Sequence, residues 1–313
     1  MKYTLNTYLK DKLNILLYHG VTDKPNEGII NYQGKHINKD DFLFQMEFIK
    51  KRCSPLSIDE WVEIKKNNKR VPKYPTIISF DDGFKNNLTI AAPILESLKL
   101  PSVFYITTGV IDTKKMFWVD VIEQCIHFCE KESIELYLDK KICFDLTSNK
   151  NKSTALISIK KFCKQSKSDQ KDVIINDLIN QTDVIPRKDL HDNYKTLSWN
   201  DLRQMNDNQL FTIGGHTVSH NILSSVNYDN LNYQISECID KLSNELKSKI
   251  QHFSYPEGQK NHFNKEVILR LKKYGIICCP TAINGYNDFN ENLFQLKRVM
   301  VGFEKIDFPH NKS

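Results

Sequence analysis

Two short clusters in the 313-residue chain hold side chains able to do chemistry. The first is Thr76-Ile77-Ile78-Ser79-Phe80-Asp81-Asp82-Gly83, an apolar run that stops on two adjacent carboxylates and a glycine. Neighbouring carboxylates at the end of a buried strand repel each other and must be desolvated together. That is costly unless a cation or a proton lies between them. Such a pair suits a site that needs one carboxylate for a metal and one for protons. The second cluster is Gly214-Gly215-His216-Thr217-Val218-Ser219-His220. Two histidines four apart on a helical turn share one face, so both rings can reach one ion. The glycines before them let the backbone pass close to the site. A His-x-x-x-His pair alone is a weak signal, but joined to Asp-Asp-Gly at a strand end it is a strong one.

Short apolar strands and amphipathic stretches must position these groups. Strands are expected at 13–18, 76–80, 102–107, 210–213, 252–255, 276–279 and 294–299. The run at 76–80 is β-branched and aromatic and is bounded by Pro75 and Gly83. Ser57-Ile58-Asp59-Glu60 reads as a capping box that opens a helix through Trp61, and Ser198-Trp199-Asn200-Asp201 as a second one. Helical period also runs through 87–98, 230–246 and 265–274, the last stopping at Gly275. Alternating strands and helices predict an α/β fold with a parallel sheet, open or closed. The polar residues gather after the strands, where a (β/α) barrel keeps its active site. Residues 112–195 break the alternation. Helices are expected there at 117–131, 154–164 and 169–180, with a short strand pair within 134–144. The expectation is a single catalytic domain over 1–313 carrying a mostly helical insertion at about 112–195.

Bulk properties bound the function. The hydrophobic fraction is 40% and the charged fraction 26%, ordinary for a soluble globular protein. No run approaches the length of a membrane span. The first apolar run is too short for a signal peptide. The expected location is therefore cytoplasmic, with peripheral contact at the inner membrane face. The net charge is +6, carried mostly by lysine, and arginine occurs only at 52, 70, 187, 203, 270 and 298. Such a surface does not point to nucleic-acid recognition, which favours arginine. The eight cysteines read as free thiols. Cys125 and Cys129 flank His127 but lack a second pair of zinc ligands, and Cys278-Cys279 lies in an apolar run. All fit buried small hydrophobes better than ligands.

These motifs resemble the polysaccharide deacetylases with a NodB-homology domain, carbohydrate esterase family 4. The resemblance covers 14–109 and 197–302. Phe80-Asp81-Asp82-Gly83 and His216-Thr217-x-x-His220 match the family's first two motifs. Leu17-Tyr18-His19-Gly20-Val21 is similar to the branch that deacetylates exopolysaccharides of N-acetylglucosamine. The resemblance implies a distorted (β/α)7 barrel. It implies Asp82, His216 and His220 as metal ligands, Asp81 as general base and His19 as general acid. Ser254-Tyr255-Pro256-Glu257-Gly258 falls where the family has its Arg-x-Pro-Tyr motif, and only the proline is in register. Ser254 stands in place of the arginine that orients the base, and Arg298 is the candidate to supply that charge from elsewhere. Glu257, Tyr255 and Arg298 are the candidate substrate or oxyanion residues, the Glu257 backbone N–H being the oxyanion donor.

An acetamide is a poor electrophile and water a poor nucleophile, and a metal with an open position answers both problems. One carboxylate and two imidazoles suit zinc, cobalt, nickel or ferrous iron, with zinc the default. The expected function is metal-dependent removal of an N-acetyl group from a sugar in a glycan or a lipid-linked precursor. The alternatives are hydrolysis of a non-sugar amide or cyclic imide on the same fold, and a weakly active glycan-binding protein. Trp118, Trp199 and Tyr286 are candidate sugar platforms, although core packing is the commoner use of such rings.

Overall fold

The structure, a computed structural model, describes residues 3–25, 27–166, 168–303 and 306–312. Two compact units emerge, one of residues 1–23, 33–113 and 196–313, the other of residues 24–32 and 114–195.

The first unit is built on a parallel sheet. Its strands are β1 (Asn14–Tyr18), β2 (Ser54–Pro55), β3 (Pro75–Phe80), β4 (Ser102–Ile106), β5 (Phe211–Gly215) and β6 (Val299–Met300). Their order is β5-β4-β3-β1-β6, with β2 pairing with the start of β3. Every residue of β1, β3 and β4 is buried. Continuous apolar runs are what a parallel sheet covered on both faces requires. In the ladders Tyr18 pairs with Phe80, Phe80 with Phe104, and Gly215 with Ile106. The residues that follow Tyr18, Phe80, Ile106 and Gly215 therefore emerge at one end of the sheet.

Among the described residues the sheet does not close into a regular barrel. The strands expected at 252–255 and 276–279 are reduced to single parallel bridges, Gly215 with Phe253 and His252 with Cys278. Of the strand expected at 294–299, only its end belongs to a ladder. Irregular hydrogen bonds carry the circle onward, from Cys279 N–H to the Leu293 carbonyl and from Thr281 N–H to the Leu296 carbonyl. Pro256 and Pro280 follow the two reduced segments. Proline has no N–H to donate, so a ladder stops where it enters. Three staves of the distorted barrel are thus irregular.

Both expected capping boxes form, Ser57 with Glu60 and Ser198 with Asp201. Helices Tyr228–Leu246 and Lys265–Lys273 lie where period placed them. The helix expected at 87–98 divides into a π turn at Asn87–Ala91 and an α-helix at Ala92–Ser97. Pro93 sits at the junction, where it cannot donate an intrahelical bond. Helix Lys39–Arg52 was not anticipated, although Asn38 caps it and Asp40 and Asp41 fill its first turn. Helix Ile58–Lys66 closes the end of the sheet opposite the site. It buries Ile58, Trp61 and Val62 against Leu13, Ile15, Ile77 and Val103 near the starts of three strands.

The second unit has its own core. Helices Trp118–Phe128, Asn149–Gln165 and Ser168–Thr182 accompany an antiparallel pair, Ser133–Tyr137 with Lys141–Asp145. Ile122, Ile126, Leu136, Leu156, Ile159 and Leu178 pack together with Cys125, Cys129 and Ile29. Those two cysteines serve as small core residues. Cys278 and Cys279 are likewise buried, and all eight cysteines are free. Among the described residues no helix is long and apolar enough to cross a membrane.

Trp61 is 1% exposed at the centre of the closing cluster. Trp61→Ala is expected to cost about 3–5 kcal/mol through lost burial and a residual cavity. Urea denaturation measures it, and a loss below about 1 kcal/mol would contradict the role given to this helix.

Candidate active site

Sheet backbone carries each candidate side chain to the same place. The Asp81 N–H donates to the Tyr18 carbonyl, and the Asp82 carbonyl accepts from Thr107 N–H. His216 N–H donates to the Ile106 carbonyl, and Ser254 N–H to the Gly215 carbonyl. Residues just past four staves are therefore held by hydrogen bonds to their neighbours rather than left as free loops. Gly214 is needed because a Cβ there would meet the Tyr105 ring at 2.7 Å and the His252 carbonyl oxygen at 2.8 Å.

His216 and His220 do not lie on a helical turn, which corrects the sequence expectation. They span a loop in which Thr217 and His220 have φ of 69° and 54°. A β-branched residue in this region is a genuine outlier. The loop is fixed by outside contacts. Thr108 and Gly109 N–H groups donate to the Thr217 and Val218 carbonyls. The Gln234 side-chain oxygen accepts from Val218 and Ser219 N–H, and Thr217 Oγ1 from His220 N–H. Left-handed backbone, not helical spacing, brings the two rings together.

Among the described residues, Asp82, His216 and His220 form one group close enough to hold a metal ion, their ligand atoms lying within 4.8 Å of one another. Asp82 Oδ1 is 3.6 Å from His216 Nε2 and 3.4 Å from His220 Nε2. Asp82 itself has φ of 80°. Burial pushes both imidazoles toward their neutral, ligating form, His220 down to about 3 with His216 beside it adding to the effect. His216 Nδ1 lies 2.9 Å from the Ser254 carbonyl oxygen, which accepts only, so Nδ1 carries the hydrogen and Nε2 presents its lone pair. These donors fit a divalent ion of the zinc type.

Asp81 stands beside this group, with Oδ2 3.9 Å from His216 Nε2. Arg298 grips it from the other side. Nη1 donates to Oδ1 at 2.8 Å and Nη2 to Oδ2 at 2.7 Å, a bidentate pair. Arg298 Nε donates to the Thr281 carbonyl at 2.6 Å, Nη1 reaches Ser79 Oγ at 3.3 Å, and the guanidinium lies over the Tyr105 ring. Burial alone would raise the Asp81 carboxyl. The Arg298 charge, helped by His216, overcomes it and holds the group at about 2.

Arg298 is 0% exposed and committed to Asp81, so it belongs behind that carboxylate and not among the substrate or oxyanion residues where sequence reasoning also placed it. Tyr255 is corrected as well. It is 1% exposed, its hydroxyl donates to the Phe294 carbonyl, and its ring stacks on Phe263 at 4.3 Å. That makes it a core residue. Trp199 is buried too, and Trp118 packs on the core of the second unit. Glu257 has φ of 59° and precedes Gly258 at 50°, and its charge acts on both His216 and His220. His19 is half-buried beside the Phe303 ring at 5.5 Å, and its carbonyl accepts from Asn87. Burial lowers its imidazole to about 4, with Asp81 opposing and Lys35 and Arg298 assisting. The residue that sequence reasoning missed is Ser254. Its Oγ lies 2.6 Å from His216 Nδ1 and donates to Asp81 Oδ1 at 3.3 Å.

Fold and site define a barrel-like α/β protein with a carboxylate and imidazole centre at its strand ends. The family model for polysaccharide deacetylases matches residues 68–278, and the chain belongs to that family. Membership makes it a carbohydrate deacetylase acting on N-acetylated glycans. Comparison with curated proteins finds no match. Among solved structures, the Streptococcus pyogenes deacetylase PplD in complex with acetate superimposes with a TM-score of 0.61 at 16% identity, covering 95% of each chain. A de-N-acetylase from Aggregatibacter actinomycetemcomitans gives 0.60 at 15% identity, over 94% of this chain and 96% of that one. IcaB from Ammonifex degensii gives 0.57 at 15%, over 93% and 92%. At these identities the likeness is one of fold.

Removing Arg298 leaves a buried carboxylate without its counter-charge. Arg298→Met is expected to lose about 3–5 kcal/mol of stability, with Arg298→Lys recovering only part because a lysine cannot grip both oxygens. Chemical denaturation reads this directly, and an unchanged midpoint would refute the clamp. A second expectation concerns pH. His19 and His310 are each held at about 4 against an ordinary 6.5, burial being the leading cause for both. The unfolded chain therefore binds these protons at higher pH than the folded one. Their contribution to stability is complete above 6.5 and is lost as pH falls toward 4. Melting temperatures of metal-stripped protein should decline across that interval, and a flat series would contradict the burial of these rings.

Proposed function

We propose that the protein is a metal-dependent hydrolase that removes the N-acetyl group from an N-acetylated sugar in a glycan or a lipid-linked glycan precursor. One observation carries the reading: the Asp82, His216 and His220 cluster abuts an Asp81 held as an anion by Arg298. Asp82, His216 and His220 would hold the ion, zinc by default, with cobalt, nickel or ferrous iron compatible. When bound, it supplies an acidified water and positive charge for the acetyl oxygen.

The remaining steps belong to the chain. Asp81 accepts a proton from the attacking water, and the guanidinium behind it fixes the plane of its carboxylate. The Glu257 N–H, in the left-handed turn after Pro256, donates to the oxygen on which negative charge develops. His19 is neutral at rest; it takes a proton from solvent and gives it to the leaving amine, while Asp81 returns the proton of the attacking water to solvent, so the cycle closes. A protein that merely bound glycans would have no task for a carboxylate so held. We further propose a cytoplasmic location at the inner membrane face, for which a net charge of +6 would favour anionic headgroups.

Acetate release from N-acetylglucosamine oligosaccharides is the test, run alongside small cyclic imides. Chelation should abolish release and added zinc or cobalt should restore it. Asp82→Ala and His216→Ala should be inactive, and Asp81→Asn should lower kcat by roughly 10²–10⁴. Wild-type turnover by Asp82→Ala, or turnover of imides alone, would sink the proposal.

A further inference from the structure

We infer that the Ser254 hydroxyl is a positioning group that couples the proposed base, Asp81, to the metal-holding imidazole of His216. The inference rests on the metal-holding role proposed for His216.

Both oxygens of Asp81 already accept from the Arg298 guanidinium, so this carboxylate is an acceptor toward its other neighbours. Ser254 Oγ lies 3.3 Å from Asp81 Oδ1, and its hydrogen points there. The same oxygen lies 2.6 Å from His216 Nδ1. Having given its hydrogen to Asp81, the hydroxyl can only accept at Nδ1. His216 N–H is then shared between the Ser254 hydroxyl and the Ser254 carbonyl at 2.9 Å. One residue, 0% exposed, thus fixes the tautomer of the ligand twice and ties its ring to the base once.

The carbonyl alone would be enough to keep Nε2 bare. The hydroxyl adds a mechanical link, so that the imidazole plane and the carboxylate plane are set together. Ser254 N–H is itself anchored to the Gly215 carbonyl, which prevents the link from drifting. Residues that orient metal ligands from behind change affinity by roughly 10–100-fold when removed. With the carbonyl contact retained, the lower end of that range is expected.

The test is a calorimetric titration of Zn²⁺ and Co²⁺ into metal-stripped wild type, Ser254→Ala, Asp81→Ala and the double variant. Ser254→Ala should bind roughly tenfold more weakly. In the Asp81→Ala background, which has no acceptor for the Ser254 hydroxyl, the same change should cost no more than about threefold, because the link has lost its far end. Ser254→Thr should stay within about threefold of wild type, whereas Ser254→Val, of near-equal volume but without the hydroxyl, should match Ser254→Ala. With acetylated sugar as substrate, kcat should fall in Ser254→Ala while KM holds. Should Ser254→Ala not fold, the Thr and Val pair carries the same comparison. Binding by Ser254→Ala or Ser254→Val within about twofold of wild type, or an equal loss in both Asp81 backgrounds, overturns the inference. Failure of wild type to bind either ion overturns the metal-holding reading itself, a separate result.

Discussion

The buried pair of Arg298 and Asp81 is the interaction on which the rest of the site depends. Two adjacent carboxylates at the end of a buried strand cannot both be desolvated without positive charge nearby. The structure divides the problem. Asp82 turns toward two imidazoles, and Asp81 turns toward a guanidinium that is itself fully enclosed. Neither half suffices alone. Without the guanidinium, Asp81 would be pushed toward its neutral form by burial and lose its use as a proton acceptor. The bidentate grip also fixes the carboxylate plane, which a point charge would not do.

Geometry is secured at a cost in backbone strain. Asp82, Thr217, His220 and Glu257 all lie in the left-handed region, and each such residue costs on the order of 1–3 kcal/mol. Their neighbours over-determine them through the sheet hydrogen bonds of Asp81, Asp82 and His216 and through the contacts of Gln234 and Thr108 with the histidine loop. Elsewhere positive φ recurs at turns and helix ends such as Asn68, Lys99 and Lys247, whereas the strands of the parallel sheet hold no residue at positive φ.

Much of this was legible from residue types. Predominantly apolar strands at 14–18, 76–80 and 102–106 are unmistakable because both faces are covered, and capping boxes announce their helices chemically. The grouping of Asp82 with two histidines was legible as well, since Asp-Asp-Gly and a histidine pair are rare together. What failed to show had physical reasons. A spacing of four suggested a helix for the histidines, but a β-branched residue at positive φ is a choice that only tertiary contacts enforce. Tyr255 looked like a polar handle, and only its enclosure shows that the hydroxyl is consumed by Phe294. Ser254 read as a missing arginine, although its short side chain leaves the space that Arg298 fills from another stave. The strands before Pro256 and Pro280 seemed regular because their apolar character hides the loss of ladder donors.

The circle of staves also orders events in time. His19, Asp81 and Asp82 come from the first third of the 313-residue sequence, His216 and His220 from beyond its middle, and Arg298, which pairs with Asp81, from its last staves. A growing chain presents its residues in that sequence. The ligand set is thus complete while the base still lacks its partner, and the last stave supplies the clamp. Without that stave, Asp81 would be left buried with no counter-charge.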